Sequence, residues 1–174
     1  GADRDAPPLR LVTKAVIGAD GARSRLAKEE VGGEQPKSVF AYHEIIRSPK
    51  AADPNRFEGS RCEIRYDGKL SPDFYAWIFP HGETTSIGVG SAQKGFSLRQ
   101  AVTDLRGEAE LDTADTVRTE GAPIPLKPMK KWDNGKDVIL AGDAAGCVAP
   151  ASGEGIYYAM LGGEVAAEAV HELL

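Results

Sequence analysis

The first and last parts of the chain carry the apolar pattern of an α/β protein. The stretch 9–19 ends in a compact apolar run and 137–141 reads DVILA, and both are typical of short strands buried in a sheet. Ser24 is placed to begin a short helix that ends at the glycines 32–33. Apolar residues at spacings of three and four predict a long helix from about residue 153. Its expected inner face consists of Ile156, Ala159, Met160, Gly163, Ala167, Val170 and Leu174.

The middle of the chain has instead the pattern of an antiparallel β-sheet. The predicted strands are 38–47, 61–66, 74–80 and 84–90. Turn residues at 67–68 and 81–83 predict two hairpins between them. Ser97 is placed to cap a helix with the apolar face Leu98, Ala101, Val102 and Leu105. The Pro-rich stretch 120–128 predicts an extended return connection.

These patterns predict an α/β fold in which an antiparallel domain, 34–119, interrupts an α/β domain made of 1–33 and 120–174. The net charge of -5 argues against a nucleic-acid groove as the main function. The two cysteines form no Cys-x-x-Cys pair, so we expect neither a disulfide nor a metal site. No apolar run approaches the roughly 20 residues of a membrane span. The chain begins at Gly1 and ends inside a helical pattern, which suggests a piece of a longer polypeptide.

The strongest chemical motif is DVILAGDAAGCVAPASGEGI, residues 137–156. A buried strand here delivers Gly142 and Asp143 to the carboxyl edge of a sheet, where α/β proteins bind ligands. The Asp143 carboxylate can accept hydrogen bonds from polyol hydroxyls, and the following small residues let a bulky ligand approach. The helix start then offers free N–H groups that stabilise negative charge. The alternative, a tight corner without a ligand, is disfavoured by the length of the motif.

A second motif, VIGADGARSRLAK at 16–28, places an Asp-Gly turn after the first strand. A third lies in the middle of the chain, where Tyr75, Trp77 and Phe79 alternate and therefore share one strand face. Gly88 and Gly90 on the partner strand would leave room for a ligand beside them. This pattern predicts a long apolar slot, although a plain β core is the simpler alternative.

The first two motifs resemble the fingerprints of FAD enzymes similar to para-hydroxybenzoate hydroxylase. The resemblance implies a partial FAD-binding Rossmann-like domain with an antiparallel substrate domain inserted, FAD and NADPH as cofactors, and Asp143 on the ribityl chain. The Gly-x-Gly-x-x-Gly segment for the FAD pyrophosphate is missing. Hydroxylases usually carry Arg where this chain has Ala27, which weakens the hydroxylase interpretation. The implied flavin-site residues are Asp20, Gly21, Ser24, Gly142, Asp143, Ala145, Gly146, Pro150, Gly153, Glu154, Gly155 and Ile156.

The aromatic motif resembles the Tyr-x-Trp-x-Phe-Pro…Gly-x-Gly signature of prenyl reductases, and 41–49, 66–82 and 120–146 resemble bacteriochlorophyll geranylgeranyl reductases. This implies FAD-dependent, NADPH-linked reduction of a geranylgeranyl chain on (bacterio)chlorophyll or on the diphosphate. Its implied substrate pocket is Tyr75, Trp77, Phe79, Gly88 and Gly90. An archaeal-type geranylgeranyl lipid reductase, an aromatic hydroxylase and a non-catalytic folded piece stay open as alternatives.

Such a reduction needs a proton donor, because an isolated alkene does not accept a hydride alone. Tyr75 and His81 are weak candidates by their nearness to the aromatic strand, whereas His43 and His171 are typical of polar surface residues. The apolar substrates imply a cytoplasmic protein attached peripherally to the photosynthetic membrane, with Lys127, Lys130 and Lys131 as a solvated or phosphate-facing cluster. We expect the segment alone to be inactive.

Overall fold

The computed structural model describes residues 7–33, 36–49 and 57–174. The predicted domain boundary at 33/34 falls beside residues outside these ranges. Two compact units are formed, and each is described by itself. The parallel unit contains the described residues up to 33, Pro128–Val148 and Glu154–Leu174, and the antiparallel unit contains Pro36–Lys127 and Ala149–Gly153.

The described residues form seven strands and two α-helices. The strands are β1 (Val16–Gly18), β2 (Ser38–Arg47), β3 (Glu63–Arg65), β4 (Ala76–His81), β5 (Thr84–Ser91), β6 (Thr116–Pro125) and β7 (Val138–Leu140). The helices are α1 (Leu98–Glu108) and α2 (Ile156–Leu173). A π-helical turn, Ala27–Val31, and a 3-10 turn, Gly142–Ala145, complete the regular structure.

In the parallel unit, β1 and β7 pair in parallel, which confirms the two strands predicted from the apolar runs. The Ser24 hydroxyl accepts a hydrogen bond from the Ala27 N–H at 2.9 Å, so Ser24 begins the next turn as predicted. Gly32, at φ +72°, ends that turn and donates its N–H to the Ala27 carbonyl. The core of the unit consists of Ala27, Met129, Leu140, Ala144, Ala145 and Cys147.

Helix α2 packs through a face that includes only part of the predicted one: a Cβ on Gly142 would lie 3.3 Å from Ala159 Cβ. Ala166 is its buried residue, whereas Ile156 and Met160 of the predicted face are 75% and 72% exposed. A Cβ on Gly162 would lie 3.6 Å from the Gly142 nitrogen, so small residues set this contact. Because the helix is apolar on most sides, several stripes satisfy the same spacing. Within the described ranges, no helix has both the length and the apolar character that crossing a bilayer requires.

The antiparallel unit is a five-stranded sheet in the order β3-β4-β5-β2-β6. Helix α1 packs on one face, and its residues Ala101, Val102 and Leu105 are buried as predicted. The Ser97 hydroxyl accepts the Gln100 N–H at 3.3 Å, which confirms the predicted cap. The sheet contributes Ile46, Ala76, Ile78, Ile87 and Val89 to the shared core, with Leu70 and Leu111 from loops.

Two connections differ from the predictions. Residues 120–125, predicted as a return connection of the α/β domain, belong to the edge strand β6 and pair with β2. An edge strand tolerates prolines, because the ladder loses only hydrogen bonds that would face outward. The Asp67-Gly68 turn does not close a tight hairpin, since Arg65 pairs with Ala76 and 66–75 form a longer connection. The predicted β4–β5 hairpin is confirmed by the pairing of His81 with Thr84.

Arg106, in the last turn of α1, fastens that helix to the sheet and to the following loop. Its guanidinium forms an ion pair with Glu44 of β2 and donates to the carbonyls of Leu111 and Ala114. The Arg106 and Glu44 side chains are only 12% and 15% exposed. Removing one member of such a pair leaves the other charge poorly solvated.

We expect Arg106→Leu to lower the free energy of unfolding by about 3 kcal/mol, because it strands the Glu44 carboxylate. Urea unfolding followed by circular dichroism measures the change. Arg25→Leu is the matched control, since the Arg25–Glu29 pair is 84% and 55% exposed. The control should shift the free energy by less than about 0.5 kcal/mol. Equal losses in the two variants would contradict this account.

Candidate functional site

The two flavin-like motifs meet at one edge of the parallel unit. The Asp-Gly motif follows β1 and the Gly142-Asp143 motif follows β7, and these strands are parallel neighbours. The Ala141 N–H donates to the Gly18 carbonyl at 2.9 Å, directly where both strands end. The carboxyl edge of parallel strands is where α/β proteins place ligands.

The Asp20 turn is held by its own side chains. Asp20 Oδ2 accepts the Arg25 N–H at 2.9 Å, and Gly21, at φ +81°, accepts the Ser24 N–H through its carbonyl. Burial alone would raise the pKa of Asp20. The hydrogen bonds from the Ser24 side chain and from the Arg25 and Leu26 backbone outweigh it and lower that pKa. Asp20 and Ser24 therefore shape the turn, and the exposed Asp20 carboxylate stays charged.

Asp143 sits in the 3-10 turn after β7, between Gly142 at φ +59° and Gly146 at φ +73°. Burial raises the pKa of Asp143, and burial together with the Asp143 charge raises the pKa of the Cys147 thiol. Among the described residues, the structure records no hydrogen bond to the Asp143 carboxylate. A partly buried carboxylate of this kind suits a ligand that brings hydroxyl donors.

Ala145, one of the small residues predicted to let the cofactor approach the backbone, has its side chain in the core of the parallel unit. It is fully buried, and its carbonyl accepts the Met129 N–H at 2.9 Å. A small residue is needed at this position because the turn after β7 packs directly on the core of the parallel unit. Only the backbone around it is left for a ligand.

The predicted set of N–H donors from Gly153 to Ile156 is smaller than expected. The Gly153 N–H donates to the Ala149 carbonyl at 2.8 Å, and α2 begins only at Ile156. Glu154 caps the helix by accepting the Tyr157 N–H at 3.1 Å. The Gly155 and Ile156 N–H groups make no recorded hydrogen bond to the described residues. They are donors at the helix N-terminus that a negatively charged ligand group would meet.

Gly155 is required by the position of Asp143. A Cβ on Gly155 would lie 3.0 Å from Val148 Cγ1 and 3.3 Å from Asp143 Oδ1. The start of α2 therefore approaches the Asp143 carboxylate within van der Waals distance. The carboxylate and the helix N-terminus could reach one ligand from neighbouring positions.

In the antiparallel unit, four aromatic side chains form a row on the sheet face opposite α1, here called the aromatic row. It consists of Phe74, Tyr75, Trp77 and Phe79. Consecutive ring centroids are 4.2 Å, 6.0 Å and 6.2 Å apart. Such contacts fix ring positions as well as burying apolar area.

The space beside Gly88 and Gly90 is filled by the aromatic row, where the prediction expected room for a ligand. A Cβ on Gly88 would lie 2.3 Å from Trp77 Cζ2, and one on Gly90 would lie 2.5 Å from Phe74 Cδ1. The glycines thus let the rings lie flat against β5. Any ligand on this face would contact the rings, not the glycines.

Tyr75, a candidate proton donor, has its hydroxyl engaged. It donates to the Ser152 carbonyl at 2.5 Å. Burial raises the pKa of Tyr75, and Tyr66 raises it further. Gly153, at φ +68°, lies close to the same row, because its Cβ would be 2.9 Å from Phe74 Cζ. Tyr75 and Phe74 therefore hold the loop 149–153, which contains Pro150, against the sheet.

The other candidate donor, His81, is exposed at the end of β4. His43, assigned to the surface from the sequence, lies in a hydrogen-bonded chain with Ser86 and Glu120. These three residues are far apart in the sequence and meet only through the pairing of β2 with β5 and β6. The sequence signal for this grouping was the alternation of side chains within each strand. That alternation identifies neighbouring residues only once the strand order is known. No group of metal-ligating side chains occurs in the part of the chain that the structure describes.

Comparison with known proteins gives close relatives. The chain is 53% identical over 166 residues to the geranylgeranyl diphosphate reductase of Rhodobacter capsulatus, covering 95% of this chain and 42% of that protein. It is 37% identical to the chloroplastic geranylgeranyl diphosphate reductase of Oryza sativa, covering 90% and 33%. It is 30% identical to the digeranylgeranylglycerophospholipid reductase of Methanocaldococcus jannaschii, covering 92% and 42%. The chain thus spans less than half the length of these relatives, and no family model matches it.

Solved structures show the same fold. A geranylgeranyl bacteriochlorophyll reductase-like protein from Thermoplasma acidophilum matches with a TM-score of 0.71 and 25% identity, covering 89% of this chain and 40% of that one. A tryptophan 6-halogenase from Streptomyces toxytricini matches with a TM-score of 0.64 at 15% identity, covering 84% and 29%.

The fold is that of the FAD-dependent oxidoreductase superfamily, with a parallel strand pair and an antiparallel sheet. Within that class, the chain is homologous to the geranylgeranyl diphosphate reductases over a segment of their length. The resemblance found in the motifs is thereby confirmed.

The Asp143 carboxylate should make the folded state less stable as the pH rises. The pKa of Asp143 is raised in the folded state. Below the ordinary value of 3.8 the carboxyl is therefore protonated in both states and does not affect stability, whereas above the raised pKa its ionisation destabilises the folded state by the full amount. We therefore expect Asp143→Asn to raise Tm at about pH 7 and to leave Tm unchanged at about pH 3. Calorimetry across this range measures both. Asp112→Asn, at an exposed position in the loop after α1, is the control, and an equal gain there would refute the argument.

The Tyr75 hydroxyl should hold the loop 149–153. We expect Tyr75→Phe to lower the free energy of unfolding by about 1 kcal/mol, as one lost hydrogen bond predicts. Hydrogen exchange at Ser152 and Gly153, whose N–H groups bond to Ala149, should become faster. Tyr66→Phe is the matched control, because Tyr66 is 77% exposed. Unchanged exchange in Tyr75→Phe would show that the hydroxyl does not hold the loop.

Proposed function

We propose that the full-length protein reduces double bonds of a geranylgeranyl chain, with FAD as the hydride carrier and NADPH as its reductant. The observation that carries the proposal is the meeting of the two flavin motifs at the ends of β1 and β7. The names of the relatives point to prenyl substrates. The partial flavin-binding domain and the inserted substrate domain, approximately the parallel and antiparallel units, belong to the same proposal.

The parallel unit offers groups that fit a flavin. Asp143 would accept hydrogen bonds from the ribityl hydroxyls, which would replace the water that burial removes. Gly155 and Ile156 would direct N–H groups at the negative edge of the ring. The backbone at Gly142 and Gly146 would shape the loop beside it. When bound, FAD supplies hydride transfer, and these residues only bind and orient it.

The aromatic row offers an apolar surface of the right chemistry for an isoprenoid. An alkene that accepts a hydride and a proton requires a site from which bulk water is excluded. The half-buried rings of Tyr75 and Phe79 lie on either side of the buried Trp77 along the strand direction, which suits a long chain better than a compact aromatic substrate. The prenyl group would lie along these rings.

Ala27 argues against an aromatic hydroxylase. It occupies the position where those enzymes usually carry an arginine, and it is fully buried in the core of the parallel unit. The cation is therefore absent here and its place is filled by packing. The reductase is the function that the described residues favour.

The proposal extends to cellular context. The substrate would be geranylgeranyl-bacteriochlorophyll, its chlorophyll counterpart or geranylgeranyl diphosphate, in the formation of photosynthetic pigments. Because such substrates partition into lipid, the protein would work in the cytoplasm, attached peripherally to the photosynthetic membrane.

The test uses the full-length protein, purified with its flavin and supplied with NADPH without oxygen. Geranylgeranyl-bacteriochlorophyll, geranylgeranyl diphosphate and an archaeal-type geranylgeranyl lipid are offered separately, and mass spectrometry follows the gain of H₂ per double bond. We expect reduction of the pigment or of the diphosphate. We expect Asp143→Ala to lose flavin and activity, while Asp112→Asn retains both.

Other outcomes would assign the protein elsewhere. Reduction of the lipid alone would make it a lipid reductase. Oxygen consumption with a hydroxylated aromatic product would make it a hydroxylase. A full-length protein that retains no flavin would refute the redox assignment.

A further inference from the structure

His43 is the centre of a hydrogen-bonded chain on the aromatic side of the sheet. Its Nδ1 lies 2.9 Å from Ser86 Oγ, and its Nε2 lies 3.0 Å from Glu120 Oε2. Ser86 Oγ also accepts the Trp77 indole N–H at 3.1 Å. The chain therefore runs from the edge strand β6, through β2 and β5, to the middle of the aromatic row on β4.

The hydrogens of this chain have one consistent arrangement when His43 is neutral. The Glu120 carboxylate can only accept, so the ring hydrogen of His43 lies on Nε2, which faces it. Nδ1 is then an acceptor and receives the hydroxyl hydrogen of Ser86, whose oxygen accepts the Trp77 indole N–H. Glu120 thus selects the tautomer in which His43 fixes the direction of the Ser86 hydroxyl.

The environment of Trp77 leaves the indole little freedom. Trp77 and Ser86 are 9% and 7% exposed, so an unpaired indole N–H here would be costly. A Cβ on Gly88 would lie 2.3 Å from Trp77 Cζ2 and 2.6 Å from His43 Cβ. The Trp77 indole therefore packs against the Gly88 backbone on one side, and the Ser86 hydroxyl accepts the N–H at its edge.

The chain also has a defined charged end. Glu120 forms an ion pair with Arg118 at 3.0 Å, and both side chains are more than half exposed. Strand β5 carries no ionisable side chain, and the one on β4 is His81 at its end. The Glu120 carboxylate is thus the charged group facing His43 from the strands paired around it.

We propose that His43 is a positioning residue for prenyl reduction: acting through Ser86, it fixes the Trp77 indole within the aromatic row that receives the prenyl chain. This inference rests on the proposed function. His43 would not touch the reacting atoms, so its loss would weaken substrate binding and leave reduction of the flavin by NADPH unchanged. Trp77 would provide a wall of fixed shape, and His43 and Ser86 would keep it in place.

The test uses the full-length protein with its flavin and compares His43→Leu, Ser86→Ala and His43→Asn. Leucine and alanine each break the chain, whereas the asparagine oxygen can accept near the position of Nδ1. We expect the first two to shift the Trp77 indole N–H resonance in ¹⁵N-resolved NMR. The Trp132 resonance should stay unchanged, because that indole donates to the Met129 carbonyl elsewhere.

In the same variants we expect KM for the prenyl substrate to rise about tenfold, as one lost hydrogen bond predicts. The rate of flavin reduction by NADPH should not change. His43→Asn should recover most of the wild-type resonance and KM, and His171→Asn, on the exposed end of α2, should match wild type throughout. Should His43→Leu fail to fold, Ser86→Ala carries the comparison.

An unshifted Trp77 resonance, an unchanged KM, or an asparagine variant as impaired as the leucine variant would each overturn the inference. The resonance is measured without substrate. A wild-type protein that reduces no prenyl substrate would therefore sink the proposed function while the indole result still reports on the chain.

Discussion

The parallel pairing of β1 with β7 is the constraint on which the redox interpretation depends. It sets Val16 opposite Val138 and brings the Gly18 carbonyl to the Ala141 N–H, so two loops distant in the sequence emerge side by side. Neither loop alone identifies a flavin site, since Asp-Gly turns are common and short motif matches carry a false-positive risk. Because both loops emerge at the same sheet edge, they form one corner with a carboxylate, two helix N–H groups and little side-chain bulk.

That corner is built at a cost to local stability. Asp143 is partly buried and accepts no recorded hydrogen bond from the described residues. Gly142 and Gly146 hold positive φ values that other residues adopt poorly. Gly155 is kept bare because a side chain would press on Asp143. Desolvated ionisable groups of this kind are common at functional sites. The cofactor that we propose would offset this cost.

Local chemistry could be predicted from the sequence wherever one segment determines it. The Ser24 and Ser97 caps, the β4–β5 hairpin and the strands at 38–47 and 138–140 depend on neighbouring residues alone, and the structure contains them. Strand order and helix faces depend on distant partners. Residues 120–125 have the sequence of a connection, and only their pairing with β2 shows that they form a strand. Helix α2 is apolar on most sides, so the spacing of its apolar residues does not select one face.

The register of β2 explains how one sheet can serve both stability and recognition. Successive side chains point to opposite faces, so Glu44 meets Arg106 of α1 while its neighbour His43 meets Ser86 on the aromatic side. A slip of one residue would exchange them, placing His43 against α1 and Glu44 beside the indole. The α1 face resists that slip, because it would expose the fully buried Ile46 and separate Glu44 from Arg106. The ion pair that stabilises the unit therefore also keeps His43, and through it Trp77, on the side where a prenyl chain would lie.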